Sequence, residues 1–340
     1  MKVLMVSPSY GLNIGGAEIQ LNKLQKRLDN SIETKIISKK STKSSNTLYP
    51  FNYIFKLILY LFRNKIDIIH IHTFSSPAWI ISILNIFINK PILVKITLSG
   101  NNSRLEKIKK NFVYKKFFHL CFYSKKIYFI SVNRNIQKDL VKIGIKKNNL
   151  IKIPNGIEIK KFNISKKRFD IMFFGRLIKR KNVIKILNTL KKNTLKNVSF
   201  KIYGEGPERN KIIKFKNKNK LKNVSIKNFI NNKKILKKIK TSKFTINASD
   251  AEGLSNAILE SLSLGVPVIC RNISQNKELV KNGFNGYIFK NYNELEKIFK
   301  KINNVSNYEK ISGNAYRTAK NYDIRAVANS YINKYKQLIN

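Results

Sequence analysis

Acidic residues are scarce in this chain: 18 Asp and Glu stand against 68 Lys and Arg in 340 residues, a formal net charge of +50. That imbalance has two readings. One is attraction to a polyanion, either the anionic inner leaflet of a membrane or nucleic acid. The other is compositional drift, because Lys, Asn and Ile are abundant throughout and the excess is spread over both halves. The dispersion favours drift as the main cause and gives no reason to expect nucleic acid as a partner, while an anionic membrane surface stays open. Any such association is expected to be salt-sensitive. Cysteine is nearly absent: Cys121 and Cys270 lie far apart among apolar neighbours, which argues against a disulfide framework or a zinc knuckle and makes a reducing cytoplasm the default. Long apolar runs are missing as well. Phe51–Phe62 is broken by Asn52 and Lys56, and Ala78–Ile88 by Ser82 and Asn85, so both fall short of the roughly 18 to 20 residues of a transmembrane helix. The strand-like run Lys2–Val6 begins at once, so a signal peptide is not expected from the sequence.

What is present is an apolar fraction of 43% in a length of 340 residues, which favours two domains with a core each. Two segments open in the same way. Lys2–Val6 is followed by a polar loop ending in Gly15-Gly16 and a helical pattern over 17–28. Phe169–Phe174 is followed by the turn Gly175–Lys181 and a helical pattern over 183–190. Each reads as strand, glycine-bearing turn and helix, the start of a doubly wound α/β domain. Further strands are expected at 34–37, 67–72, 91–97, 126–132 and 150–153, then at 199–203, 225–227, 244–248, 266–270 and 287–289. Strands alternating with helices mean parallel sheets joined by crossovers. The joint is expected at the turn Pro154-Asn155-Gly156.

Ligands of open parallel sheets bind beyond the carboxyl ends of the strands, and the informative residues fall there. Gly15-Gly16 lets backbone approach a phosphate or sugar beside a helix N-terminus, although Gly-Gly before a helix is as often a plain tight turn. Gly175-Arg176 with Lys181 offers a guanidinium fork and an ammonium to a diphosphate. Glu252 and Glu260 stand eight positions apart in Glu252-Gly253-Leu254-Ser255-Asn256-Ala257-Ile258-Leu259-Glu260. Inside one helix they would lie about 80° apart. With Glu252 in a loop and the helix starting near Ser255, both can look into one cleft. The amides of Gly253, Leu254 and Ser255 would then meet a diphosphate while Glu260 accepts from sugar hydroxyls. His70 and His72 flank Ile71 at a strand end and are expected on opposite faces; His72, nearer the carboxyl end, is the better candidate for an acceptor contact.

The succession Gly15-Gly16-Ala17-Glu18, Asp67 to His72, Pro154-Asn155-Gly156, Phe174-Gly175-Arg176-Leu177, Tyr203-Gly204-Glu205-Gly206-Pro207 and Glu252 to Glu260 resembles the retaining glycosyltransferases of family 4, in that family's order and over nearly the whole chain. The resemblance implies the GT-B fold, two Rossmann-like domains facing a central cleft. Residues 1–156 would bind the acceptor, residues 157–320 the nucleotide-sugar, and the helix of 321–340 would pack back on the first domain. It implies transfer of a sugar from a nucleotide diphosphate donor, a UDP-sugar, with retention of configuration, no metal and no cofactor. Arg176 and Lys181 would hold the diphosphate, Glu252 would face the donor sugar, and Glu260 would bind the ribose. Gly204, Gly206, Phe229 and Ile230 would lie near the base. The absence of an Asp-x-Asp triplet agrees with this fold.

One departure stands out. Many members carry a donor-contacting histidine at the end of the strand that here reads Val94-Lys95-Ile96-Thr97-Leu98-Ser99-Gly100. Either Ser99 or backbone takes that role, or the donor differs. The implied acceptor is a glycan or lipid-linked molecule in surface polysaccharide or lipopolysaccharide synthesis. The aromatic, basic segments 51–65 and 111–126 would meet a membrane interface, or the first would be a buried crossover helix. Two other classes fit less of the pattern: a nucleotide-sugar epimerase of the same fold, and a non-catalytic polyanion-binding protein that would account for the charge alone.

Overall fold

The computed structural model describes residues 1–11, 16–28, 32–41, 49–98, 103–122, 124, 126–163 and 169–339. The chain forms two compact units, Met1–Gly156 with Ile324–Asn340, and Ile157–Asp323. Among the described residues each is built on a six-stranded parallel sheet.

The first unit runs β1 (Lys2–Gly11), α1 (Gly16–Gln25), β2 (Glu33–Ser41), α2 (Tyr49–Arg63), β3 (Ile68–Ile71), α3 (Ser76–Ile88) and β4 (Ile92–Ile96). It continues with α4 (Arg104–Lys110), α5 (Phe112–Phe122), β5 (Ile127–Ser131), α6 (Arg134–Lys142) and β6 (Leu150–Lys152). The strand order is β2-β1-β3-β4-β5-β6. β3 and β4 are buried at every position, as parallel strands covered on both faces must be. From β2 onward every crossover steps in one direction, so right-handed connections set α2, α3, α5 and α6 on one face of the sheet. The β1 to β2 step runs the other way and puts α1 on the opposite face. There Leu21 and Leu24 pack with Val3, Met5 and Ile68 and with Tyr331 and Tyr335 from the C-terminal helix. Gly156 closes this unit, its N–H and C=O both paired at 2.9 Å with the side-chain amide of Gln20.

The second unit runs β7 (Phe169–Phe174), α7 (Val183–Leu190), β8 (Phe200–Tyr203), α8 (Arg209–Lys218), β9 (Val224–Lys227), α9 (Asn232–Lys240) and β10 (Ser242–Asn247). Then come α10 (Asn256–Ser263), β11 (Val268–Arg271), α11 (Ser274–Lys277), β12 (Gly286–Phe289), α12 (Tyr292–Lys301) and α13 (Tyr308–Lys320); α14 (Ile324–Ile339) belongs to the first unit. The order β12-β11-β10-β7-β8-β9 makes β10, β7 and β8 neighbours. The loops that leave their carboxyl ends therefore meet along one edge. Ile171, Phe173, Phe200, Ile202, Phe244 and Ile246 supply the core on one side of the sheet.

Candidate active site

The loops after β7 and β8 are laced together by backbone. Gly175 N donates to Tyr203 O at 3.1 Å, Leu177 N to Glu205 O at 2.8 Å, and Glu208 N to Leu177 O at 3.0 Å. Only glycine fits that approach at two points. A Cβ on Gly204 would lie 2.1 Å from Gly175 O, and one on Gly206, whose φ is +150°, would lie 2.5 Å from Leu177 O. Arg176 is exposed at the rim of this turn.

Lys181 reaches from the same loop to the loop after β10. Its Nζ sits 2.5 Å from Glu252 Oε1. Asn247, the last residue of β10, donates from Nδ2 to Glu252 Oε1 at 3.2 Å and to Ser255 Oγ at 2.9 Å. Ser255 caps α10, its Oγ accepting from Ile258 N, so Glu252 precedes the helix and Glu260 lies in its second turn. Burial pushes the Glu252 carboxyl up, but Lys181, a hydrogen bond from Ser249 and the charge of Arg180 together hold it below its ordinary value. It is a buried carboxylate kept charged by cations, the kind of group that faces ligands. Backbone supports the same loop: Asp250 N donates to Arg180 O at 3.0 Å, and Arg180 Nη1 donates to Ala251 O at 3.3 Å. Arg271 pairs with Asp250.

Glu260 is buried and turned to a different partner, Asn232 Nδ2, which donates to its Oε1 at 3.0 Å from the first turn of α9. Gly253 and Leu254 are buried between the two glutamates. Phe229 is exposed, and Ile230 lines a cavity of about 810 Å³ with Tyr203, Asn228, Phe169 and Lys227. The structure thus brings Lys181, Glu252 and Ser255 into one network, and Gly175, Gly204 and Gly206 into another.

In the first unit, Gly16 is exposed as the first residue of α1; Gly15 and Ser99 lie outside the described residues. His70 and His72 do not face opposite ways. Their rings are 5.4 Å apart, because residues two apart in a strand share a face, and that corrects the sequence expectation. His70 Nδ1 is 2.6 Å from the Tyr335 hydroxyl of α14, and its ring stacks on Tyr331. Burial, together with nearby Lys95, lowers the His70 pKa to about 3. Burial, Lys95 and His70 likewise hold His72 well below the usual imidazole range, against a contact with the Ala17 backbone that acts the other way. Lys95 itself is buried and lowered to about 7 by desolvation. Both imidazoles are neutral at physiological pH.

Residues 155–322 match the model of the family described as glycosyl transferases group 1. The match spans nearly all of the second unit, Ile157–Asp323. It is 27% identical over 296 residues to the capsular polysaccharide biosynthesis glycosyltransferase CapH of Staphylococcus aureus, covering 79% of this chain and 81% of that protein. Among solved structures it resembles HepE of Anabaena in complex with UDP-glucose, with TM-score 0.76, 17% identity, and 99% and 100% of the two chains covered. It also resembles the sucrose-phosphate synthase of Thermosynechococcus elongatus, with TM-score 0.83, 14% identity, and 99% and 98% covered. The fold is that of the GT-B glycosyltransferases. In this glycosyltransferase, Asn247, Asn232 and Arg180 join the candidate site without having been singled out in the sequence. Asn247 carried a signal, its position at a strand's carboxyl end. Asn232 carried none, since its role depends on α9 lying against α10.

Proposed function

We propose that this glycosyltransferase is a metal-independent hexosyltransferase that moves a sugar from a UDP-sugar to a glycan or lipid-linked acceptor, with retention, in surface polysaccharide or lipopolysaccharide synthesis at the cytoplasmic face of the membrane. The observation that carries the reading is the network of Lys181, Glu252, Asn247 and Ser255 at the carboxyl edge of the second sheet. It sets a cation, a charged carboxylate and a helix N-terminus within reach of one ligand, an arrangement suited to a sugar joined to a diphosphate. UDP-glucose in HepE and the capsular polysaccharide role of CapH support the donor and the setting.

In the reaction, the bond from the anomeric carbon to the diphosphate oxygen breaks and its electron pair leaves with UDP. The acceptor oxygen forms the new bond to that carbon on the same face, and its proton passes to a phosphate oxygen. Arg176 and Lys181 neutralise the departing diphosphate, and the amides at the start of α10 add to that field. Glu252 orients the donor sugar through its hydroxyls, Glu260 holds the ribose, and Gly204, Gly206, Phe229 and Ile230 border the base. Gly15, Gly16, His72 and Ser99 serve the first unit's share of substrate contact. Thermal-shift measurements with UDP, GDP and their sugars test the donor assignment: UDP and one UDP-sugar are expected to raise the melting temperature, and no shift with any of them overturns it. Product linkage by NMR tests retention.

A further inference from the structure

The crossover helices of a Rossmann-like unit normally turn a polar face outward, but in the first unit three neighbouring helices do not. Phe55 and Phe62 of α2, Ile83, Ile86 and Phe87 of α3, and Phe112, Val113, Tyr114, Phe117 and Leu120 of α5 are between 45% and 83% exposed. The spacing is helical: Phe55 and Phe62 are seven apart, and Ile83, Ile86 and Phe87 follow the three-and-four step of one helix face. All three helices lie on the same side of the sheet, α3 packs against both α2 and α5, and Trp79 of α3 stacks on Phe117 of α5 at 5.2 Å. The exposed side chains thus form one layer. Monomeric proteins rarely leave such a layer open to water.

The charges within it have one sign. α2 carries Lys56 and Arg63, α5 carries Lys115 and Lys116, and none of the three helices contains Asp or Glu. Lys116 Nζ rests 5.0 Å over the Phe112 ring, so apolar and cationic groups share the same outward surface. No described helix is long and apolar enough to cross a membrane; these are short helices lying side by side, and α3 buries its polar Ser82 and Asn85 while its apolar Ile86 and Phe87 face out.

We propose that the outer face of α2, α3 and α5 docks onto an anionic lipid bilayer, its Phe, Ile and Leu side chains entering the acyl boundary while the lysines and Arg63 meet lipid phosphates. Aromatic and aliphatic side chains beside cations suit that interface, and the absence of acids removes the charge a basic protein surface would need. This deepens the proposed function by naming the membrane-facing surface, and its test reads lipid binding rather than sugar transfer, so the two stand or fall separately.

The test is flotation of the full chain with vesicles of phosphatidylcholine alone and of equimolar phosphatidylcholine and phosphatidylglycerol. A net charge of +50 binds anionic vesicles by itself, so the deciding arm is run in roughly 1 M salt, where the screening length falls to about 3 Å. The wild type is expected to stay bound to the anionic vesicles there. Ile86→Ser, Phe87→Ser and Leu120→Ser combined is expected to release it at least ten-fold, while the exposed Phe284→Ser of the second unit is not. All are surface changes, and unaltered melting and UDP-induced shifts confirm that the variants are folded. Equal retention of the triple variant and the wild type overturns the proposal. So does a wild-type dimer in solution that the triple variant converts to monomer without changing flotation, which would assign the face to a second copy of this chain.

Discussion

Lys181 Nζ stands 2.5 Å from Glu252 Oε1, and the pair bridges the loops that leave two adjacent strands, β7 and β10. Both side chains are largely withdrawn from water, at 16% and 9% exposure. Removing one partner of such a pair strands the other. Lys181→Met leaves Glu252 charged and buried beside only Arg180 and hydrogen bonds, and is expected to destabilise the second unit by about 3 kcal/mol. Glu252→Gln keeps the hydrogen bond from Asn247 and leaves the less buried lysine, so its cost is expected to be about 1 kcal/mol. The double variant should cost less than the two single losses added. Urea denaturation of the four proteins checks this; strict additivity would mean the two charges do not interact. If the pair also serves transfer, each single variant lowers kcat roughly 100-fold.

Lys95 gives the first unit a pH dependence of definite sign. Its pKa is lowered to about 7 in the folded chain by burial, against about 10.4 when unfolded. Between those values the unfolded state binds more protons, so stability rises with pH from about 7 to about 10. His70, lowered to about 3, adds a rise from about 3 to about 6.5 by the same linkage. Melting temperature followed across this range is expected to climb, after allowance for the net charge. Lys95→Met, which keeps the packing near Tyr331, should flatten the upper part of the climb and leave the lower part in place. An unchanged slope would show that Lys95 does not titrate in the native state.

Much of the fold was legible because parallel strands buried on both faces announce themselves as short apolar runs between polar loops. The run expected at 91–97 is β4, Ile92–Ile96, and that expected at 126–132 is β5, Ile127–Ser131. β1 was not legible in full: it continues past Val6 to Gly11, pairing with β2 as far as Ser41 across a register shift. Polar residues there are held by a partner strand, which periodicity cannot see. The same limit applied at the site. Lys181 and Glu252 were each singled out, yet their contact spans 71 residues and depends on β10 lying next to β7. The strand order decides that, and nothing local encodes it.

The lacing of the two glycine loops predicts a defect with a particular signature. Gly204→Ala would drive a Cβ to 2.1 Å from Gly175 O, and backbone on both sides leaves no flexible group to give way. The loops must separate, at a cost of about 1 to 3 kcal/mol. Gly175 and Arg176 would move with them. Binding of UDP, measured by calorimetry, is expected to weaken by more than the loss of stability alone would suggest. Ordinary UDP affinity in a destabilised Gly204→Ala protein would detach this turn from the diphosphate.

Asn232 donates to Glu260 Oε1 through a 3.0 Å hydrogen bond, which makes it a positioning residue for that carboxylate. If Glu260 binds the ribose, its contact is equal in the ground and transition states, and weakening it raises KM with little change in kcat. Asn232→Ala removes one hydrogen bond to a charged group, worth about 1.5 kcal/mol, or roughly ten-fold. The expected outcome is a donor KM about ten-fold higher at near-normal kcat, with Asn232→Gln restoring part of the loss. Should kcat fall as far as kcat/KM does, Glu260 belongs instead to the group that stabilises the transition state, and the ribose assignment is wrong.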